Sequence, residues 1–173
     1  MLVAFLRSIN VGGRNIIKMK ELSAELLKFG FSDVQTYIQS GNIVFNYSDN
    51  DTNKISSSIE KLISKKFNLK ISVVVFEFDE LIQIIENCPF KGDENKYIFV
   101  TLFKSKIVVN EVFNEILNEF GDCFVFKNNV FYIRCFNGYS NTKFNNSFFE
   151  KKYKITATTR NIETLIKVGE IGR

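Results

Sequence analysis

The chain contains no histidine. That absence excludes Ser-His-Asp and Cys-His nucleophile activation, imidazole general bases and every His-containing metal site, so any chemistry must use other groups. Proline is reduced to Pro89 alone, which argues against a disordered or collagen-like chain. No stretch approaches the roughly 18 consecutive apolar residues of a membrane-spanning helix. The opening segment Met1-Leu2-Val3-Ala4-Phe5-Leu6-Arg7 lacks a basic leader and is too short for a signal-peptide core. A cytoplasmic location without a membrane partner is therefore expected. Cysteine is scarce too: Cys88, Cys123 and Cys135 show no C-x-x-C spacing, and no metal centre is expected.

What is present is an ordinary globular composition, 173 residues with 45% hydrophobic and 24% charged side chains, enough for one domain or two very small ones sharing a core. The net charge of +4 permits anionic ligands without demanding a nucleic acid. Eighteen of the 23 basic residues are lysine, so the five arginines are informative by position. Arg7, Arg14 and Arg160 fall inside the only segments that look like motifs. If Asn128-Asn129 is a two-residue hairpin turn, Cys123 pairs with Arg134 and Cys135 points to the opposite face, which makes a disulfide between them unfavourable. The cysteines read as small apolar residues.

Along the chain, Leu2 to Leu6 suits a buried strand, and after a Gly-containing loop Met19, Leu22, Leu26 and Phe29 recur at helical spacing before Gly30. Val34–Gln39 and Asn42–Phe45 flank Ser40-Gly41 as a hairpin, with Val34, Thr36, Ile38, Ile43 and Phe45 on one face and Tyr37, Gln39, Asn42 and Val44 on the other. Asp49 to Asp51 can cap a helix carrying Ile55, Ile59, Leu62 and Ile63, and Ile71 to Phe76 is the next strand. This is the βαββαβ order of ferredoxin-like folds. A further helix follows, capped by Asp79 and stopped by Pro89, and the polar stretch Lys91–Asn95 forms an internal boundary. The pattern then restarts with a strand over Tyr97–Phe103, a helix over Asn110–Phe120 ending at Gly121, and strands over Cys123–Phe126 and Val130–Cys135. The repeat is expected to end differently, with a polar, aromatic stretch from Asn137 to Tyr153 holding a helix, and a C-terminal helix from about Thr159 to Val168.

Three polar segments could carry function: Arg7-Ser8-Ile9-Asn10-Val11-Gly12-Gly13-Arg14-Asn15, Tyr37-Ile38-Gln39-Ser40-Gly41-Asn42, and Thr158-Thr159-Arg160-Asn161. In the first, two glycines allow a sharp turn that presents backbone N–H groups, with Arg7 and Arg14 as anion donors. It matches neither the Walker A nor the dinucleotide-binding spacing, and on its local pattern alone a plain turn with surface arginines is the simpler account. With Thr159 as N-cap, Arg160 would put a cation in the first helical turn, against the macrodipole. An anion site or an ion pair would each account for that violation. Gln39, Ser40 and Asn42 offer amides and a hydroxyl, which recognise ligands but do not transfer protons, and turn chemistry accounts for Ser40-Gly41. Asp33, Glu77, Asp79 and Asp122 lie near element ends, where capping explains them, and no two carboxylates are placed as acid and base.

The sequences Leu6-Arg7-Ser8-Ile9-Asn10-Val11-Gly12-Gly13, Met19 with Leu22, Thr36-Tyr37-Ile38-Gln39-Ser40-Gly41-Asn42, and Thr158-Thr159-Arg160-Asn161 with Thr164 resemble the bacterial domain-of-unknown-function family 1697. The resemblance spans the chain. Ser8 stands where that family usually has Gly and Ile162 where it often has Trp. Gly138, Ser140 and Lys143 resemble its G-x-x-S-K-like stretch in a loosened form. The family carries no established activity, so the resemblance implies where a site lies and leaves the reaction, and any cofactor, open.

The expected fold is α+β, two intertwined ferredoxin-like (βαββα-type) halves from an internal duplication. Residues 1–76 form the first half, 77–96 a linking helix and loop, and 97–173 the second half with its C-terminal helix, together one compact domain. Arg7, Asn10, Gly12, Gly13, Gln39, Ser40, Gly41, Asn42, Thr159, Arg160 and Asn161 are expected to converge on an anionic small molecule, a phosphate or nucleotide-like one. Two other classes stay open. An RNA or single-stranded nucleic-acid module has the fold order and Tyr37 in its favour but lacks an aromatic stacking motif. A protein-interaction module would use Phe144, Phe148 and Phe149, which helical spacing assigns more readily to a core.

Overall fold

The computed structural model describes residues 1–90, 94–109 and 122–173. The helix expected over Asn110–Phe120 with Gly121, and Lys91 to Asp93 of the polar boundary, lie outside the described residues. The chain divides into two compact units, Met1–Ile82 with Lys167–Arg173, and Gln83–Ile166.

The first unit begins with β1 (Leu2–Leu6), α1 (Met19–Phe29), β2 (Ser32–Tyr37), β3 (Asn42–Asn46), α2 (Thr52–Phe67) and β4 (Val73–Glu77). Its antiparallel sheet has the order β2-β3-β1-β4, the ferredoxin-like arrangement. Each element has a local cause. Gly30 closes α1 in the left-handed conformation, its N–H and that of Phe31 bonding back to Leu27 and Leu26. Asp51 caps α2 by accepting from the N–H groups of Asn53 and Lys54. Both helices lay aliphatic stripes on the sheet: Met19, Leu22 and Leu26 with Ile55, Ile59, Leu62 and Ile63 cover Leu2, Ala4, Leu6, Ile43, Phe45, Val73 and Val75. The alternate residues of β1, β3 and β4, Val3, Phe5, Val44 and Val74, are buried as well, which explains why β1 reads as an unbroken apolar run.

The second unit contains β5 (Ile98–Phe103), β6 (Cys123–Lys127), β7 (Val130–Arg134), α4 (Asn146–Tyr153) and β8 (Ala157–Asn161). Its sheet order β6-β7-β5-β8 repeats that of the first unit strand for strand. Asn128 and Asn129, both left-handed, form the predicted two-residue turn and set Cys123 opposite Arg134. All three cysteines are buried thiols, and burial raises the pKa of Cys135 to about 12. The core here is aromatic: Phe103, Phe124, Phe131 and Phe149 pack with Ile133, Cys135 and Ala157, and Phe144 and Phe148 pack against that cluster. The Phe131 and Phe149 rings lie 4.7 Å apart and those of Phe124 and Phe144 4.1 Å. These phenylalanines are core residues.

Two helices, α3 (Phe78–Glu86) and α5 (Ile162–Ile171), follow β4 and β8 directly, and the division between units falls inside both. Asp79 lies within the first turn of α3, so it does not cap it. The second half therefore ends as the first does, in helix, strand, helix, and the expected difference between the two endings is corrected. The error arose at Thr158-Thr159-Arg160-Asn161, which is strand: Thr159 faces Thr101 and Arg160 faces Val100 across β5.

Candidate functional site

The loop after β1 is shaped by its backbone. Ser8, Asn10, Gly12, Gly13 and Asn15 all have positive φ, between 51° and 72°. For Gly12 and Gly13 this costs nothing. Each of the other three gives up roughly 1 kcal/mol relative to an ordinary conformation. Gly12-Gly13 forms a two-residue turn closed by Arg14 N–H donating to the Val11 carbonyl at 3.0 Å. Below that turn, Asn10 N–H donates to the Asn15 carbonyl at 3.2 Å, and Asn15 Nδ2 donates to the Ser8 carbonyl at 2.9 Å.

Asn10 fastens this loop to the hairpin. Its Oδ1 accepts from Ile17 N–H at 2.8 Å, and its Nδ2 donates to the Ile17 carbonyl at 2.9 Å and the Gln39 carbonyl at 2.7 Å. Leu6 N–H donates to the Gly41 carbonyl at 2.8 Å, and Arg7 N–H to the Ser72 carbonyl at 2.9 Å. The first two motifs thus form one structure. A Cβ on Gly41 would lie 2.6 Å from Leu6 Cβ and 2.9 Å from Ile9 Cδ1, and its φ is 78°, so both space and backbone require glycine. Asn42 is fully buried and its Nδ2 donates to the Tyr37 carbonyl at 3.0 Å and Ser40 Oγ at 2.9 Å. The strands pair Tyr37 with Asn42, so the hairpin loop has four residues, Ile38 to Gly41, and is not the expected tight Ser40-Gly41 connection. Ile38 leaves the strand at φ 48° and is exposed, which corrects its assignment to the core face.

Thr159, Arg160 and Asn161 lie in the second unit. Thr159 Oγ1 joins a tight polar network, 2.8 Å from Thr101 Oγ1, 2.8 Å from the Tyr139 hydroxyl that donates to it and 2.7 Å from Asn146 Oδ1. Burial raises the Tyr139 pKa, and its ring stacks on Phe99 at 5.0 Å. Arg160 Nη1 donates to Thr158 Oγ1 at 2.8 Å and to the Thr159 carbonyl at 2.9 Å, and burial lowers its pKa to about 10. The helix starts two residues later than expected: Asn161, not Thr159, accepts from Glu163 N–H at 2.8 Å. Arg160 therefore sits on a strand, and the supposed conflict with a helix dipole does not exist. Asn161 Nδ2 also donates to the carbonyls of Asn95 and Lys96, at 3.0 and 3.1 Å.

Four of the polar residues singled out in the sequence, Asn10, Asn42, Thr159 and Asn161, thus hold the framework together. Arg7, Gly12, Gly13, Gln39 and Ser40 remain partly or fully open to solvent around the joined loops, as does Arg14. Sequence reasoning missed Asn15 as a partner of Ser8, and the exposed aliphatic residues Val11, Ile16 and Ile38. Among the described residues no cluster of three or more cysteines and carboxylates is placed to hold a metal ion. No helix among them is long and apolar enough to cross a membrane.

The fold is shared with a solved structure, that of the conserved bacterial protein SP0830 from Streptococcus pneumoniae, at a TM-score of 0.74 and 23% identity over 99% of this chain and 98% of that one. No curated protein matches the chain. The family model for the protein of unknown function DUF1697 matches residues 1–132, a span that contains both loops of the first unit. The chain belongs to the DUF1697 family.

Proposed function

We propose that the joined loops of the first unit bind a small anion, with a phosphoryl group as the preferred chemistry. The observation that carries this reading is the run of left-handed residues from Ser8 to Asn15. Strained backbone persists where surrounding structure over-determines it, and it concentrates at ligand clamps. Here it produces an exposed glycine turn, open enough that a Cβ on either glycine would meet nothing within 4 Å, in the loop that carries Arg7 and Arg14 and is bonded through Asn10 to the Gln39 carbonyl. Guanidinium and backbone N–H donors together suit a tetrahedral oxyanion. Asn10, Gly41 and Asn42 act as the rigid support of this site and Thr159, Arg160 and Asn161 as structural residues of the second unit.

The site holds no arranged acid and base, so the reading is binding and not turnover. Thermal melts with and without phosphate test it. Phosphate at a hundredfold excess over its dissociation constant stabilises the wild type by about 2.7 kcal/mol. Arg14→Gln is expected to lose most of that gain while melting normally without ligand. A wild type indifferent to phosphate, pyrophosphate and sulfate would remove the proposal.

A further inference from the structure

Helices α1 and α2 lie side by side on the first sheet, and a groove of about 310 Å³ opens between them. One carboxylate ties its walls together: Glu25 of α1 pairs with Lys28 Nζ at 2.8 Å and with Lys66 Nζ of α2 at 2.9 Å. The floor is apolar, formed by buried Leu62 and by Phe29, which is 49% exposed. Phe29 is held in place: its ring stacks on Phe31 at 5.8 Å, and Phe31 stacks on Tyr47 at 4.3 Å. Lys61 and Lys65 complete the lining, one helical turn apart on α2, and among the described residues neither is paired with a carboxylate. Four lysines thus face one carboxylate around a half-exposed phenylalanine. The dipole of α2 accounts for a cation at Lys65, in its last turn. It does not account for Lys61, a turn earlier, or for the aromatic surface left in water.

The chemistry of the walls selects the occupant. Both are helix surfaces, whose backbone N–H and C=O groups are already bonded within the helix. An extended peptide would find no sheet edge to pair with, and its own backbone groups would lose water without gaining partners. A helix brings a backbone that is already satisfied. The surplus of lysine calls for acidic side chains, and the floor calls for an apolar one. Glu25 in the wall opposes a phosphate backbone, and a concave groove with two apolar floor residues is a poor match to a membrane surface. We infer that this groove docks an acidic amphipathic helix of a partner protein. An apolar side chain of that helix rests on Phe29 and Leu62, and two carboxylates one turn apart pair with Lys61 and Lys65. The inference does not depend on the anion-binding loops.

A displayed library of helical peptides, randomised along one face and panned against the full chain, tests this. Enriched peptides are expected to carry two acidic residues one turn apart beside a leucine, methionine or aromatic residue. In fluorescence anisotropy the best of them is expected to bind about tenfold tighter than a scrambled peptide of the same composition, and to weaken as salt rises. Reversing both free lysines, Lys61→Glu with Lys65→Glu, is expected to weaken binding about tenfold or more and to restore it for the same peptide with its two carboxylates replaced by lysines. Such an exchange of charge cannot arise from a folding defect. Phe29→Ser is expected to weaken both pairings while leaving the circular dichroism spectrum unchanged. No enrichment, enrichment without paired acids, or binding indifferent to the lysine reversal overturns the inference. Phosphatidylglycerol vesicles or a single-stranded oligonucleotide that bind more tightly than the best peptide, and are lost on the same reversal, overturn it too. So does a wild type that sediments as a dimer when Phe29→Ser sediments as a monomer, which would make the groove an interface between copies.

Discussion

The two units repeat one topology with different means of fastening it. In the first, the residue after β1 donates its N–H to the residue before β4, Arg7 to Ser72 at 2.9 Å; in the second, Lys104 donates to Thr156 at 3.0 Å in the equivalent place. In both, one asparagine amide ties the loop after the first strand to the hairpin turn. In the first unit that asparagine is Asn10, in the loop. In the second it is Asn129, in the turn, which accepts from Ile107 N–H at 2.8 Å and donates to the Ser105 carbonyl at 3.3 Å. The strand pairing is therefore retained while the staple changes sides. When the staple sits in the hairpin, the turn is only two residues long. When it sits in the loop, the hairpin widens to four residues and the loop collects left-handed residues, arginines and exposed aliphatics.

The cores differ in the same manner, aliphatic in the first unit and phenylalanine-rich in the second. Truncating the centre of each gives the largest effects. Phe149→Ala is expected to cost about 3–5 kcal/mol and Leu22→Ala about 2–5 kcal/mol, measured by urea denaturation. Phe149→Leu separates ring contacts from volume: if it costs as little as a volume-conserving aliphatic exchange, under about 1.5 kcal/mol, the aromatic packing contributes little beyond filling space.

The staples come next. Asn10→Ala removes three hydrogen bonds and leaves backbone groups of Ile17 and Gln39 to find water, for an expected loss of about 1–3 kcal/mol. Asn129→Ala, with two bonds and the longer one at 3.3 Å, is expected to cost about 1 kcal/mol. Equal losses would contradict the claim that the first loop is the more tightly determined. A gain is expected at Ser8, whose φ is 54° and whose side chain is exposed: Ser8→Gly relieves the left-handed strain and should stabilise by about 1 kcal/mol, read as a raised melting temperature.

The smallest effect concerns equivalent helix caps. Asp51 caps α2 and Asn145 caps α4, each side chain accepting backbone N–H bonds. The bonds from Lys54 and Asn53 N–H lower the Asp51 pKa below its ordinary value of 3.8. A depressed folded pKa gives stability that is present above 3.8 and lost as pH falls through the folded value. Asp51→Asn should therefore lower the melting temperature slightly at pH 7 and have no effect in strong acid, while Asn145→Ala should cost the same at both.

Much of this architecture was legible in the sequence because its causes are local. Gly30, Asp51 and Asn128-Asn129 act on neighbours within a few residues, and the helical stripes of the first half need no partner to be seen. β8 was not legible because Thr158-Thr159-Arg160-Asn161 shows no apolar alternation, and its strand identity comes from pairing with β5, 58 residues away at Thr101 and Thr159. A cap-like Thr159 then drew the helix start forward, when Asn161 was the capping residue. Ile38 was misplaced because side-chain alternation holds only while the backbone stays extended, and its left-handed φ ends the strand at Tyr37, two residues before the expected Gln39. The first two motifs announced themselves by composition, but the division of labour within them did not. Asn10 and Asn42 look like ligand groups until their hydrogen bonds, one spanning 29 residues, are seen to be committed to the backbone.

The central claim, that the loop carrying its own asparagine staple and the left-handed run is the binding surface and its counterpart in the second unit is not, is tested most directly by amide chemical shifts. Titrating phosphate into the isotope-labelled chain is expected to move the backbone signals of Arg7 to Asn15 and Gln39 to Gly41, saturably and with one dissociation constant. The signals of Lys104 to Val109 and Thr156 to Asn161 are expected to stay in place. Saturable shifts confined to the second set, or none in the first at any concentration, would contradict the account.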